Sequence, residues 1–353
     1  MTSLPRTLIT YVFVMVLVIQ IHPTGPGRDA MPVVQSARFL WAGVYPFSEP
    51  AQAVMRDLFI AEGQWKCPSC SKIGMTYPLT AAIVALPFGL LPYDLGEWAF
   101  CAVGLLLLFL LLRLLSVPFW VMISIAVLSA INVNNPILMT TALLGLGLAQ
   151  SQRRPVWAGV LLGLALLIKP QSGLLLVGYV LWHTPHWRQV SVGMLTTGAL
   201  IGGLSLLIAP RWIGDWLAQV QLYRSVEAAA LQSFPYMLPL ALWIILRRAP
   251  LGGVALAQTS IIPAIAVPYS FLPLIIFAAP HLRAWALFSL CLLGWTWSTI
   301  NGYAELAVPN YRHAGVLFGF VLPAALLLSV PLFLKPMANQ LAARSPQAVH
   351  SRR

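Results

Sequence analysis

The sequence predicts an all-α protein that crosses a membrane many times, because it combines long apolar runs with very few charges. Of its 353 residues, 59% are hydrophobic and 8% are charged, and the mean hydropathy is +0.83. A soluble domain carries roughly 25% charged residues, so this chain has too few to cover a water-facing surface. Within a bilayer the backbone must satisfy its own hydrogen bonds, which favours helices over open sheets. We therefore expect one transmembrane domain over residues 1–353.

Thirteen apolar segments divide the chain, and one of them does not suit a simple crossing. They cover residues 8–22, 77–92, 96–115, 118–133, 136–150, 156–169, 171–184, 190–209, 233–247, 251–267, 269–281, 284–300 and 313–334. The second is short and contains Pro78, Pro87 and Pro92, each of which removes a backbone hydrogen-bond donor. We expect this segment to be re-entrant, which leaves about 12 crossings and places both termini in the cytoplasm.

The beginning of the chain requires a separate decision, because Arg6 followed by the apolar run Leu8–Ile19 has the form of a secretory signal. The sequence after that run, "HPTGPGRDAMP", lacks a clear cleavage site flanked by small residues. We therefore expect the first helix to be retained in the membrane.

The net charge of +12 is explained by this topology. Twelve basic residues and no acids fall on the cytoplasmic side, including those of a basic tail at 335–353, whereas all nine acids fall outside with nine basic residues. An excess of Lys and Arg in cytoplasmic loops is typical of membrane proteins. The charge therefore gives no reason to expect a nucleic acid partner.

The first extracytoplasmic loop, 23–76, is predicted to contain amphipathic helices. In "DAMPVVQSARFLWAGVYPF", one helical face carries the apolar residues Val33, Val34, Ala37, Leu40 and Trp41. Such a helix either lies in the lipid headgroup layer or packs on the transmembrane bundle.

The same loop contains "WKCPSCSK", with Cys67 and Cys70. A disulfide within the loop is the simpler expectation. A zinc site shared between subunits is the alternative, because the chain has no second cysteine pair outside the apolar segments.

Two residues at the predicted outer rim are candidates for chemistry. Asp29 follows the first helix in "GPGRDAMP", and a carboxylate held at the membrane edge can act as a general base for a hydroxyl group. The alternative is an ordinary ion pair with Arg28. Lys169 interrupts the apolar stretch "GLALLIKPQSGLLLVGYVLW", where Pro170 turns the chain between two helices. It is therefore expected at the outer surface and not in mid-membrane.

Other polar residues accompany this pair at the outer rim. A cluster of cations there can bind a phosphate group, whereas the alternative is that each one independently reaches a lipid headgroup. The predicted phosphate-binding set is Lys169, Arg28, Arg211, Arg224, Arg312 and His313. The corner "INVNNP" supplies three amides, which either bind sugar hydroxyls or form an ordinary turn.

Five features follow one another along the chain: the Asp after the first helix, "YPLTAAIVALPFGLLP", "NVNNPILMTTALLGLGLA", "AGVLLGLALLIKPQSGLLLV" and a late "VPYSFLPLIIFAAP". Taken in this order, they resemble the polyprenyl-phosphate-mannose-dependent alpha-mannosyltransferases of glycosyltransferase family 87, in the GT-C superfamily. The resemblance covers residues 8–190 well and 260–285 loosely. It implies inverting transfer of a sugar, with mannose expected, from a polyprenyl-phosphate donor to an extracytoplasmic hydroxyl. The expected acceptor is a glycolipid or another glycan.

The resemblance also implies roles for individual residues. The catalytic aspartate of the family falls on Asp29 and its lysine falls on Lys169, which would stabilise the departing polyprenyl phosphate. Residues of the matching motifs that are expected to bind the sugar or the acceptor are Asn134, Asn135, Tyr77 and Gln171. No metal or other cofactor is expected, and the location implied is the bacterial plasma membrane with an extracytoplasmic active site.

Two other functions are compatible with a polytopic membrane protein. The first is a transporter or flippase of a lipid-linked glycan or small solute, and the second is a non-catalytic scaffold. Transporters usually place ionisable side chains near the middle of the bilayer and contain internal repeats. In the predicted topology the charges lie at the membrane rims, and this arrangement favours a transferase.

Overall fold

The computed structural model describes residues 29–61, 74–117, 134–226 and 250–261, with the short stretches 121–122, 127, 130–131, 231–232, 242, 264–265 and 272–278. The all-α prediction is confirmed for these residues, in which the strands are limited to an antiparallel pairing of β1 (Leu231–Gln232) with β2 (Ala264–Ile265). The predicted spans 8–22, 284–300 and 313–334, most of 118–133 and 233–247, and the tail 335–353 lie outside the described residues. The number of crossings therefore stays a prediction.

Most of the helices coincide with apolar segments, whereas the first two and the one over residues 212–226 lie outside them. In chain order they are α1 (Met31–Trp41), α2 (Glu49–Ala61), α3 (Leu79–Val84), α4 (Leu86–Gly89), α5 (Tyr93–Leu114), α6 (Ile137–Gln150), α7 (Pro155–Ile168), α8 (Leu174–His183), α9 (Trp187–Ile208), α10 (Trp212–Val226), α11 (Pro250–Ile261) and α12 (Leu272–Ala278). A single 3₁₀ turn, Pro170–Ser172, joins α7 to α8, and α9 contains one π-helical stretch at Gly198–Gly202.

Two of these helices, α5 and α9, have the length and hydropathy needed to cross a membrane, and α6, α7 and α8 are shorter apolar helices. One side of α5 is exposed although it is apolar, with Val103, Leu106, Leu110 and Leu114 at spacings of three and four residues. A soluble monomer rarely leaves such a stripe uncovered. Contact with lipid accounts for it.

The proline-rich segment 77–92 does not form one crossing helix. It forms α3 and α4, of six and four residues, which meet at Ala85. A helix needs about 20 residues to span the hydrocarbon core, so neither is long enough. Two short helices are compatible with the re-entrant path, which stays a prediction.

Helices α7 and α9 pack with their backbones unusually close. A Cβ atom added to Gly159 would lie 2.0 Å from the carbonyl oxygen of Val190, and one added to Gly193 would lie 2.1 Å from that of Val156. Small residues let helices approach in this way, which gains van der Waals contact where lipid removes any hydrophobic driving force between helices. The glycine-rich composition of "WAGVLLGLALL" is thereby explained.

The bundle has two chemically different ends. The side chains of Asn135 and Lys169 contact each other, so α6 begins where α7 ends, and the turn that joins these helices lies at the opposite end. Ser151 and Thr184 line one cavity there, which places the α8–α9 connection beside the same turn. This opposite end, the basic end, carries Arg113, Arg153, Arg154 and Arg188.

The first loop packs on the bundle. Val33, Val34 and Ala37 on α1 are fully buried in the main core, as the predicted apolar face requires. Trp41 follows Ala37 by one helical turn on the same face, but it stands at the end of α1, where its side chain is 55% exposed and its Nε1 donates to the carbonyl of Leu86. The structure therefore favours packing on the bundle over a helix that lies free in the headgroup layer.

A second core lies between this loop and α10. It contains Met31, Met55, Met75, Leu79, Ala82, Ala209 and Trp212. Polar contacts join the same elements, because the hydroxyl of Tyr45 donates to Asp215 and Trp216 Nε1 donates to the carbonyl of Thr76. The loop is thus held over the end of the bundle where Lys169 lies.

Candidate active site

Four of the predicted site residues come together at the end of the bundle opposite the basic end. The amide nitrogen of Asn135 donates a hydrogen bond to Oδ2 of Asp29, and its amide oxygen accepts one from Lys169 Nζ at 3.0 Å. The Lys169 ammonium also lies 5.9 Å from the centre of the Tyr77 ring. We call these four residues, Asp29, Tyr77, Asn135 and Lys169, the polar cluster. They belong to four separate segments of the chain.

The end of α7 determines the position of Lys169. The ring of Pro170 disfavours helical backbone in the residue before it, and Lys169 has the non-helical values φ −148° and ψ 79°. Its amide still donates to the carbonyl of Ala165 at 3.0 Å. The hydroxyl of Thr80 donates to the carbonyl of Leu167 at 2.7 Å, so α3 is attached to this last turn. The lysine therefore leaves the bundle at a defined corner.

Asn135 is held by the corner "INVNNP" that precedes α6. Asn134 has the left-handed φ of 47°, which asparagine tolerates better than most residues. The backbone amide of Asn135 donates to the carbonyl of Ala130 at 2.7 Å. Its side-chain oxygen accepts from the backbone amide of Ile137 at 2.8 Å. The last contact is an Asx turn. This turn directs the side-chain oxygen of Asn135 towards α6 and Lys169. The side-chain nitrogen therefore faces Asp29.

Burial and charge act in opposite directions on the lysine. Loss of hydration disfavours the ammonium and lowers the pKa of Lys169 to about 8, although the neighbouring Asp29 carboxylate raises it. The pKa of Tyr77 is raised well above its usual value, first by burial and then by the charges of Asp29 and Tyr223. At neutral pH the cluster therefore combines a cationic lysine with a neutral phenol.

The remaining predicted site residues are distributed as follows. Asn134 is 1% exposed, and neither polar atom of its side chain has a hydrogen-bond partner. Gln171 is exposed beside Lys169, and Arg211 is exposed just before α10. Arg224 lies in the last turn of α10, but its side chain is outside the description. Residues outside the described part of the chain are Arg28, Arg312, His313, Cys67 and Cys70.

The sequence did not reveal which neighbours support the cluster. Thr80 and Tyr223 occupy ordinary positions in an apolar segment and in a helix, and nothing in their local sequence marks them. Among the described residues, no group of three or more His, Cys, Asp or Glu side chains is placed to hold a metal ion.

The polar cluster brings together two kinds of chemistry. A carboxylate accepts a proton from a hydroxyl group, and an ammonium stabilises the negative charge of a phosphate. A reaction in which a hydroxyl attacks carbon while a phosphate departs is accelerated by both. Lys169 and Asp29 are linked through a single amide, so they lie close enough to act on one substrate pair.

Comparison with known proteins identifies the family. The sequence profile described as Glycosyltransferase family 87 matches residues 75–299, which is more than half of the chain. No curated protein and no solved structure matches the chain. The match includes Tyr77, Asn135 and Lys169 but not Asp29, which the fold brings to them. With its apolar helices, the chain is a membrane glycosyltransferase that belongs to glycosyltransferase family 87.

Proposed function

We propose that this glycosyltransferase transfers a sugar, mannose in the first instance, from a polyprenyl-phosphate donor to a hydroxyl group of an extracytoplasmic glycolipid or glycan. The observation that supports this proposal is the contact of Asn135 with both Asp29 and Lys169. It joins a candidate base to a candidate phosphate-binding cation, and a lipid-phosphate donor calls for both.

The proposed reaction is a single inverting displacement. The acceptor oxygen forms a bond to the anomeric carbon while its proton passes to the Asp29 carboxylate. The bond between the anomeric carbon and the phosphate oxygen breaks, and its electron pair departs with the polyprenyl phosphate. Lys169 stabilises the charge that develops on this leaving group, because a cation in a poorly hydrated site acts strongly on a nearby anion. No metal ion or cofactor takes part in this scheme.

The donor is proposed to approach from the lipid. Its isoprenoid chain is apolar and belongs in the bilayer, whereas its phosphate belongs at the depth of the outer headgroups. The charge distribution supports this orientation, because exposed arginines crowd the basic end and the polar cluster lies at the other end. By the positive-inside rule the basic end faces the cytoplasm. We therefore place the reaction on the extracytoplasmic face of the plasma membrane, with both termini inside.

Other polar residues are proposed to complete the substrate sites. Asn134 and Gln171 contribute amides for the sugar or acceptor, and Tyr77 contributes a neutral hydroxyl and a ring beneath Lys169. Cations proposed to assist at the donor phosphate are Arg28, Arg211, Arg224, Arg312 and His313. A disulfide between Cys67 and Cys70 is proposed to stabilise the first outer loop.

The decisive experiment measures sugar transfer by the purified protein. Synthetic polyprenyl-phosphate mannose, glucose and arabinofuranose are each tested as the donor, with an extract of envelope lipids and glycans as the source of acceptor. A nucleotide sugar is the negative control for the donor. We expect transfer from a polyprenyl-phosphate donor only. Asp29→Asn should lower it by about 10³-fold, since a general base contributes roughly 10²–10⁴-fold.

The matched control is Asp94→Asn, which removes an exposed carboxylate in the first turn of α5 at the same end of the bundle. This variant should transfer as fast as the wild type. A fully active Asp29→Asn protein would contradict the assignment of the base, and efficient transfer from the nucleotide sugar would contradict the donor class.

A further inference from the structure

The side chain of Asn135 has an unusual set of partners. Its nitrogen donates to a carboxylate, and its oxygen accepts from an ammonium and from a backbone amide. Each contact has the correct polarity, and rotating the amide by 180° would oppose donor to donor at both Lys169 and Ile137. The side chain is 2% exposed. Little of its hydrogen-bonding capacity is therefore left to bind a sugar or an acceptor, which was the role expected from the sequence.

The backbone on which Asn135 stands is rigid. The left-handed Asn134 precedes it, Pro136 follows it with φ −55°, and its own amide is bonded to Ala130. A residue before proline has a restricted backbone. The Asx turn to Ile137 removes the remaining freedom of the side chain. A side chain so constrained can hold its partners in one place.

We propose that Asn135 is the positioning residue of the active site, which orients the Asp29 carboxylate through its amide nitrogen and the Lys169 ammonium through its amide oxygen. This inference rests on the proposed function. In this role the amide acts through Asp29 and Lys169, which it contacts directly. It sets the spacing between the group that accepts the proton and the group that binds the phosphate, and it stabilises both in their charged forms.

The proposal requires a specific change in the dependence of kcat/KM on pH, which reports the free enzyme. The acid limb is the protonation of Asp29 and the alkaline limb is the loss of the Lys169 proton. In the part of the chain that the structure describes, the titratable groups that interact in the cluster are Asp29, Lys169, Tyr77 and Tyr223. Burial raises the pKa of Tyr77 well above its usual value, so this phenol stays neutral through the alkaline limb.

Two substitutions of Asn135 should move the limbs differently. Asn135→Ala removes a donor to the carboxylate and an acceptor from the ammonium, so the acid limb rises and the alkaline limb falls, each by about one pH unit. Asn135→Asp places a second negative charge beside both groups, so the acid limb rises and the alkaline limb also rises. The alkaline limb thus moves in opposite directions in the two variants. Loss of packing alone does not produce this result.

Asn135→Asp is also the variant that best preserves the fold, because a carboxylate oxygen still accepts from the Ile137 amide. The matched control is Thr141→Val on α6, the helix that follows Asn135, since the Thr141 hydroxyl is fully buried without a hydrogen-bond partner. The acid and alkaline limbs of its kcat/KM profile should coincide with those of the wild type.

The outcomes separate the two levels of inference. If Asp29→Asn is inactive and the two Asn135 variants show the expected limbs, the positioning role is established. If Asp29→Asn is inactive but both Asn135 variants keep the wild-type limbs at any level of activity, the positioning role is overturned and the proposed function stands. If Asp29→Asn is fully active, the assignment of the base is overturned, and the positioning role with it.

Discussion

At the end of the bundle where α6 begins and α7 ends, polar side chains from four chain segments contact one another, whereas at the basic end four arginines remain exposed. Lys169 is partly buried and shares Asn135 with Asp29. The arginines at the basic end have no acidic residue of the described chain near them in sequence, and the helices there meet through glycine. Charged side chains at one end are therefore hydrogen-bonded to each other through Asn135, whereas those at the other end are exposed.

The difference shows that cations have two separate uses in one membrane protein. An exposed arginine keeps its hydration and costs little, and its contribution is to the orientation of the chain. A partly buried lysine loses hydration and persists only where neighbours compensate it. The cavity of about 210 Å³ at the basic end is lined by residues such as Tyr179 and His183 and by none of the polar cluster. Its presence therefore does not mark the candidate active site.

The largest effect is expected when the two ends of the bundle are tested for the side of the membrane on which they lie. A cysteine at each end should be either labelled from outside or not labelled at all. Gln171→Cys and Gln152→Cys each place a thiol at an exposed position, one beside Lys169 and one at the basic end. In a chain whose four native cysteines are replaced by serine, a membrane-impermeant maleimide on intact cells should label only the first. The second should label after permeabilisation. The reverse pattern would place the polar cluster in the cytoplasm.

The next effect compares one cation from each end. Lys169→Met removes the charge that is proposed to stabilise the phosphate leaving group, and kcat/KM for the polyprenyl-phosphate donor should fall by about 10²-fold. Arg154→Met removes an exposed charge from the basic end and should change purified-protein activity by less than about twofold. Equal losses in the two variants would mean that Lys169 acts only through stability.

The helices were largely predictable from the sequence, because lipid imposes a simple requirement on a crossing segment. The segment 96–115 became α5, 156–169 became α7, and 190–209 became α9, each within a few residues. Prolines correctly indicated that 77–92 is not one long helix. Trp41 shares the predicted face of α1 but stays exposed, because periodicity determines a helical face and not the extent of the surface that covers it.

The site was predictable in part, for a different physical reason. Asp29 and Lys169 were both expected at the outer rim, since charge and proline indicate depth in the membrane. Depth does not specify which side chains touch around the circumference of a bundle. The contact of Asn135 with both residues depends on helix packing, so its amide was expected to bind sugar when the structure shows it bound to protein.

A smaller effect concerns pH. The pKa of Lys169 is lowered by burial to about 8, so the ammonium is present below that pH and is lost above it. One pH unit above the pKa about a tenth of the ammonium remains, and kcat/KM should fall about tenfold between pH 7 and pH 9. Lys169→Arg stays charged across this range, so in an active Lys169→Arg protein the alkaline limb should disappear. If the alkaline limb were unchanged in Lys169→Arg, the group that titrates would not be Lys169.

The smallest effect belongs to the basic half of the bundle, where the comparison predicts a change in stability without a change in chemistry. Gly159→Ala introduces a Cβ at 2.0 Å from a backbone oxygen of α9, so the two helices must separate. Overpacking of this kind costs about 1–3 kcal/mol, and Tm in detergent should fall. Gly178→Ala on α8 is the matched control, because nothing lies within 4 Å of its added Cβ. The limbs of the pH profile should stay fixed in both variants, since neither glycine contacts the polar cluster. A shift of the limbs in Gly159→Ala would show that the packing of α7 on α9 also determines the position of Lys169, which would remove the distinction between the two ends.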